Sequence, residues 1–226
     1  MKRLFISLAI LAGISLSSCN DSFLEKTPVT DLTENNAFNS YDNFKAFMWP
    51  CYEMFTNNTI RTSLQGFGQD GQYKGDMAAG YFQQKYESGY NEFAYQTVAS
   101  VASGNGWDFK SFIRRVNIML SHIDNSSMTE AQKDHWRAVG YFFHSFWYME
   151  LIDRFGDVPW VDQVLQEDSP EAYGPRVDRK TVADKVLERL QWAEQNIGNF
   201  TSQDGDNTIN QDCVRAVISR FGLREG

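Results

Sequence analysis

The residues most able to do chemistry lie in a glycine-rich stretch, 57–106, and at its exit. It carries Asp70, Tyr73, Asp76, Tyr81, Phe82, Tyr86, Tyr90, Phe93 and Tyr95, and Trp107 follows directly. Eight glycines between 66 and 106 leave neither a helical nor a strand period for long. A long irregular insertion in a compact domain is usually functional. Two readings stand side by side: the aromatics pack the insertion onto the rest of the fold, or some face solvent and stack on planar or sugar-ring ligands. Trp107, Tyr73 and Tyr81 would supply ring faces, and Asp70 an acceptor for hydroxyl groups.

Other spacings fall short of a site. Gly66-Phe67-Gly68-Gln69-Asp70-Gly71 fits the dinucleotide-binding glycine pattern on paper. That pattern needs a strand before it and a helix after it, and Gly75 and Gly80 spoil the helix. Asp204, Asp206, Thr208 and Asn210 alternate like the start of a calcium loop. The glycine and the closing glutamate are missing, so a turn rich in capping side chains is expected. Three cysteines and three histidines (His122, His135 and His144) show no zinc-ligand spacing, so no metal site and no cofactor are expected. Whether Cys51 and Cys213 pair is left open. Among 29 acidic residues nothing marks two as a glycosidase pair, whose function depends on spatial separation. Nucleophile-elbow, P-loop and deaminase signatures are absent too, and the chain is read as a non-enzyme. Net charge is −8, and loss of Lys2 and Arg3 with a leader would take it to −10. An acidic chain without a basic cluster argues against nucleic acid.

The elements that must position the insertion begin with a leader. Lys2 and Arg3 precede an apolar run, 4–16, that is short for a membrane span. It closes in Leu16-Ser17-Ser18-Cys19, which resembles the lipobox of bacterial lipoproteins. Residues 1–18 are therefore expected to be a signal peptide and Cys19 the acylated anchor. Two or three chains at ~0.8 kcal/mol per buried CH₂ hold a protein durably at a membrane. Residues 19–39 read as a tether and 40–226 as the domain.

Within the domain the hub is 129–162. Thr129 and Gln132 form a capping box. Trp136, Val139, Phe143, Phe146, Trp147, Leu151 and Phe155 then recur at steps of three and four, while Tyr141, Phe142, Tyr148 and Ile152 cover other faces. A helix apolar nearly all round belongs inside a bundle. Gly156 ends it and Pro159 prevents continuation. Earlier, Phe44, Phe47, Met48, Cys51, Met54 and Phe55 share a helical face, and Pro50 within it is expected to kink the helix or make it restart. Trp107 to Ile123 is amphipathic, and the turn at 124–127 makes it a hairpin with the hub. Asp178 caps a helix bearing Val182, Val186, Leu190, Ala193 and Ile197, with Gly198 as its stop. A polar loop, 199–210, leads to a final helix with Val214, Val217, Ile218 and Phe221. The fold class is mainly α, tetratricopeptide-like helical hairpins with a loop-rich insertion. The last helix lacks a covering partner, so the sequence is expected to be a fragment.

These residues resemble the N-terminal part of the SusD/RagB family, the surface nutrient-binding lipoproteins of Bacteroidetes. The resemblance rests on Cys19 followed by Phe23-Leu24-Glu25-Lys26-Thr27-Pro28, on Ile113, Arg114 and Asn117, and on Arg154-Phe155-Gly156-Asp157-Val158-Pro159. Arg176 to Ala193 and Asn210 to Gly226 extend it. Many members carry Glu-Ala-x-Phe-Leu-Arg-Ala where this chain has Val139 to Ser145, and Ser219 and Arg224 replace an alanine and a tyrosine. The resemblance implies an outer-membrane lipoprotein that lids a TonB-dependent SusC-like transporter and captures oligosaccharides for import. No family motif fixes ligand residues here, so Asp70, Tyr73, Tyr81 and Trp107 stand as candidates by position and chemistry. Alternatives are an outer-membrane interaction scaffold without its own glycan site, or a surface glycoside hydrolase.

Overall fold

The computed structural model describes residues 38–55 and 110–226. Across them the chain forms helices α1 (Tyr41–Met48), α2 (Lys110–His122), α3 (Glu130–Phe155), α4 (Arg179–Asn196), α5 (Thr201–Asp204) and α6 (Gln211–Glu225). Two 3₁₀ segments, Trp49–Phe55 and Pro170–Tyr173, complete the described elements.

The hub is α3. Thr129 Oγ1 accepts from Gln132 N while the Gln132 side chain accepts from Thr129 N, so the expected capping box is present. Sixteen of its residues are buried, covering every face. At roughly 1.5–3 kcal/mol for each large apolar side chain, this helix alone organises the core. Gly156 closes it at φ 68°, a left-handed conformation in which its N–H reaches Ile152 O.

Neighbouring helices run antiparallel to their sequence partners. Phe112 stacks on Trp147 at 4.9 Å and Asp124 meets Arg137 at 2.6 Å, so α2 descends as α3 rises. At the crossing point Gly140 carries no side chain, and a Cβ there would sit 2.6 Å from Met119 Cε and 2.9 Å from Leu120 Cδ2. The glycine thus lets α2 and α3 approach closely. On the other side of the hub, Tyr141 meets Trp192 edge-on at 5.2 Å and Ser145 Oγ donates to Val186 O, which sets α4 antiparallel to α3. Helix α6 returns along α4: Arg215 bonds Glu194 at 2.8 Å and Arg179 bonds Glu225 through both guanidinium Nη atoms. The expected helical hairpins are in place, and an isolated bridge, Val158 to Val177, supplies the pairing that closes the connection between α3 and α4.

Several local expectations change. Pro50 neither kinks α1 nor restarts it. The helix tightens into a 3₁₀ turn from Trp49 onward, because proline brings no N–H for an i→i−4 bond. That tightening rotates the apolar face. Phe44, Met48, Cys51 and Met54 are fully buried, whereas Phe47 is half-buried and Phe55 exposed. Packing reaches back to Phe38, 5% exposed and stacked on His122 at 4.3 Å, within the stretch read as tether. Gly198 is not the stop of α4. The cap is Ile197 in extended geometry, and Gly198 instead makes room for Phe200, whose ring would lie 2.5 Å from an added Cβ. The loop 199–210 contains the short helix α5. Cys51 and Cys213 are both free thiols, which settles their pairing.

Candidate functional site

Cys19, Asp70, Tyr73, Tyr81 and Trp107, together with the insertion 57–106, lie outside the described residues. Three groups within the described residues have the residue types of a site.

The first is the segment that leaves α3. Tyr148 OH donates to Pro159 O at 3.0 Å and accepts from Val161 N at 2.6 Å. His144 Nε2 lies 2.9 Å from Val161 O, and because a carbonyl only accepts, Nε2 carries the proton. Asn117 Nδ2 donates to both Val161 O and Gln163 O, and Arg114 Nη1 to Leu165 O. The motif Arg154–Pro159 and the pair Arg114 and Asn117, distant in sequence, therefore meet in one structure: helix side chains hold a row of carbonyls on an extended strand of chain. Burial drives His144 down to about 3 and pushes the Tyr148 hydroxyl up, so both stay neutral. Trp160 covers this joint, 4.5 Å from Tyr148 and 5.0 Å from His144. Its ring is in turn overlaid by Arg189 at 4.9 Å and Lys185 at 5.3 Å. Arg189 also lies over Tyr141, and Arg137 over Trp192. Each of these aromatic rings is thus paired with at least one cation. The group positions chain.

The second group is a buried polar knot. Tyr41 OH donates to Asp204 Oδ2 at 2.5 Å, and His135 Nε2 and Lys45 Nζ approach the same carboxyl at 3.5 and 3.4 Å. His135 Nδ1 donates to Gly198 O and Lys45 Nζ to Gln203 O. Desolvation lowers His135 against the pull of Asp204, and raises Tyr41. The side chain of Asp204 is 3% exposed, so this is a clamp tying α5 to α1 and α3 and out of reach of substrate. The alternation that looked like a calcium loop resolves accordingly. Asp204 turns inward, Thr208 Oγ1 donates to Gly205 O, and Asn210 caps α6 by accepting from Cys213 N. Among the described residues no cluster of three metal-ligating side chains occurs.

The third group is an aromatic pair on the 3₁₀ segment, Trp49 over Tyr52, with ring centroids 5.1 Å apart and planes 27° apart. Tyr52 leans edge-on against Phe143 of the hub at 5.0 Å, and its hydroxyl accepts from Ile209 N. Trp49 is 49% exposed, and no cation lies over it among the described residues. Sequence reasoning passed over it, since an aromatic next to Pro50 in an apolar run reads as core.

A family model described as "Starch-binding associating with outer membrane" (SusD-like_3) matches residues 22–223. The chain belongs to the SusD-like family. No curated protein matches it. Among solved structures it is similar to a SusD-like protein from Bacteroides fragilis, with TM-score 0.63 and 19% identity over 88% of this chain and 38% of that one. It is also similar to a SusD-like carbohydrate-binding protein from Bacteroides vulgatus, with TM-score 0.61 and 17% identity over 82% of this chain and 42% of that one. A second Bacteroides fragilis SusD-like carbohydrate-binding protein gives TM-score 0.56 and 15% identity over 83% and 38%. The chain spans about two-fifths of the length of those proteins. Their likeness establishes the helical fold. Among the described residues no helix is long and apolar enough to cross a membrane.

Proposed function

We propose that the protein is a cell-surface glycan-binding lipoprotein of the outer membrane, anchored through acylated Cys19 and passing oligosaccharides to a TonB-dependent SusC-like transporter. The observation that carries this reading is the family match across residues 22–223, whose description joins starch binding to the outer membrane. The helical hairpins give a rigid frame, and the insertion 57–106 leaves that frame between Phe55 and α2. Sugar rings present apolar C–H faces that stack on aromatic planes, while carboxyl and amide groups accept their hydroxyl hydrogen bonds. Asp70, Tyr73, Tyr81 and Trp107 remain the proposed ligand residues. The protein captures its ligand without catalysis.

Fractionation of the producing cells tests anchoring and partnership together. Metabolic labelling with palmitate should mark the wild type and not Cys19→Ala, and the wild type should co-purify with an outer-membrane transporter. A wild type that takes no label and stays in the soluble fraction contradicts the anchoring, and isolation without a transporter contradicts the delivery role.

A further inference from the structure

We infer that segment 159–165 is a proton-sensitive latch: it opens by itself, while the helices around it persist, when the His144 imidazole takes up a second ring proton. The latch belongs to the frame and does not depend on what the protein binds.

Segment 159–165 is fastened by side chains. Among the described residues it makes no backbone–backbone hydrogen bond. Tyr148, His144, Asn117 and Arg114 hold its carbonyls at Pro159, Val161, Gln163 and Leu165, and the Val161 N–H donates to Tyr148 OH. The Val158–Val177 bridge bounds it on one side and the turn from Ser169 N to Gln166 O on the other, so it can lift without breaking α3 or α4. Segments of this kind open locally, at a lower free energy than the helices beside them.

The closed joint has no place for a second proton on His144. Nε2 already donates to Val161 O, so the added proton goes to Nδ1, which is buried and has no hydrogen-bond partner. The ring is stacked on Tyr148 at 4.7 Å and meets Trp160 edge-on at 5.0 Å. A charged ring with a buried donor and no acceptor is costly on both counts, and water removes both costs once the segment lifts.

The surrounding charges oppose the imidazolium as well. From α4, Arg189 and Lys185 lie over Trp160, and from α2, Arg114 reaches Leu165 O. On α3 the neighbouring titratable group is the neutral Tyr148 hydroxyl, with Tyr141 beneath Arg189. The carboxylates of the neighbourhood, Asp162 and the exposed Glu188, act on Arg189, and Asp162 also accepts from Trp160 Nε1. Protonated His144 would therefore gain a cation beside it and no counter-ion of its own. The closed segment keeps the ring neutral down to about 3, whereas the opened one lets it charge below 6.5, so acid favours opening.

Native-state hydrogen exchange on the full-length protein, read at single-amide resolution at pH 7 and pH 5 with and without low urea, decides the matter. After correction for intrinsic rates, the Val161 amide should open more often than that of Trp147 in the hub. Its opening should not respond to low urea, whereas that of Trp147 should show the slope of global unfolding. From pH 7 to pH 5 the Val161 opening constant should rise roughly 25-fold, the ratio set by a proton bound at 6.5 when open and only at about 3 when closed. His144→Gln should cut that step to less than about threefold, and His135→Gln should leave it in full. A Val161 amide that shares the opening constant and urea slope of Trp147 overturns the latch, as does a wild-type step of less than about threefold. A full step retained in His144→Gln overturns the assignment to this histidine. The two wild-type results need no variant, so they decide the matter even where a substitution prevents folding.

Discussion

Acidification should destabilise the protein through one side chain, and the size of the effect follows from its surroundings. His144 is fully buried, donates from Nε2 to Val161 O, and has a buried Nδ1 with no hydrogen-bond partner. Burial first, and the nearby Arg189 guanidinium second, hold its folded-state pKa at about 3, against 6.5 when exposed. The folded state therefore keeps His144 neutral while the unfolded chain takes up a proton below 6.5. Unfolding binds protons between those limits, so stability falls as pH falls, by about 1.4 kcal/mol per unit. From pH 7 to pH 5 the loss due to this residue is about 2 kcal/mol, a sizeable fraction of a domain's stability. Urea unfolding followed by far-ultraviolet circular dichroism at the two pH values measures it. His144→Gln, whose amide nitrogen reaches as far as Nε2, keeps a donor near Val161 O and cannot titrate, so its own pH 7-to-5 loss should be smaller than that of the wild type by about 2 kcal/mol. His135 is lowered as well and adds to the wild-type slope, while Glu150, raised by burial, opposes it. Both are present in each protein and cancel from the comparison. Equal pH slopes in wild type and variant would refute the claim that His144 stays neutral in a dry joint.

Other perturbations test other parts of the frame. Asp204→Asn removes the charge that Lys45 and His135 approach and disturbs the Tyr41 bond, and should lower stability by about 1–3 kcal/mol in the same urea assay. Cys51, buried and with its thiol pushed up to about 12, should stay unmodified by a thiol reagent at pH 8 in the native protein, while half-buried Cys213 reacts first. Gly156→Ala, at φ 68° and ψ −111° with open space around it, should cost about 1–3 kcal/mol from backbone strain alone. Gly222→Ala, inside α6 with nothing within 4 Å of the new methyl, should gain about 0.5–1 kcal/mol by helix propensity, measurable as a higher urea midpoint.

Much of the fold was legible because local and long-range signals agreed. The capping box at Thr129, the dense apolar periodicity to Phe155 and the left-handed Gly156 all point to one helix, and the short polar link at 124–127 fixes α2 as its antiparallel neighbour. The cap at Asp178 could be read from residue type and position alone, whereas Asn210, which the sequence places only at the end of a polar loop, turns out to cap α6. The polar interior could not. His144 and Tyr148 sit in a run that reads as uniformly apolar, and their partners are backbone carbonyls and amides, which carry no sequence signature. Asp204 looks like a surface acid in a polar loop, and only the meeting of α1 with α5, more than 150 residues apart, buries it. The 3₁₀ turn at Pro50 was hidden because proline shows where an α-helix must change and not what replaces it. Trp49 follows from the same ambiguity: periodicity places it beside the core, and the tightened turn carries it outward. The ligand candidates of the insertion had composition to recommend them and no periodic pattern to place them.

Binding itself tests the account most directly. Titrating the full-length, purified protein with neutral oligosaccharides at pH 7 should give saturable heats with at least one of them, and alanine at Asp70, Tyr73, Tyr81 and Trp107 together should weaken that affinity by an order of magnitude or more. Flat isotherms for every sugar, from a protein whose circular dichroism is that of the folded helical frame, would contradict the glycan-binding function.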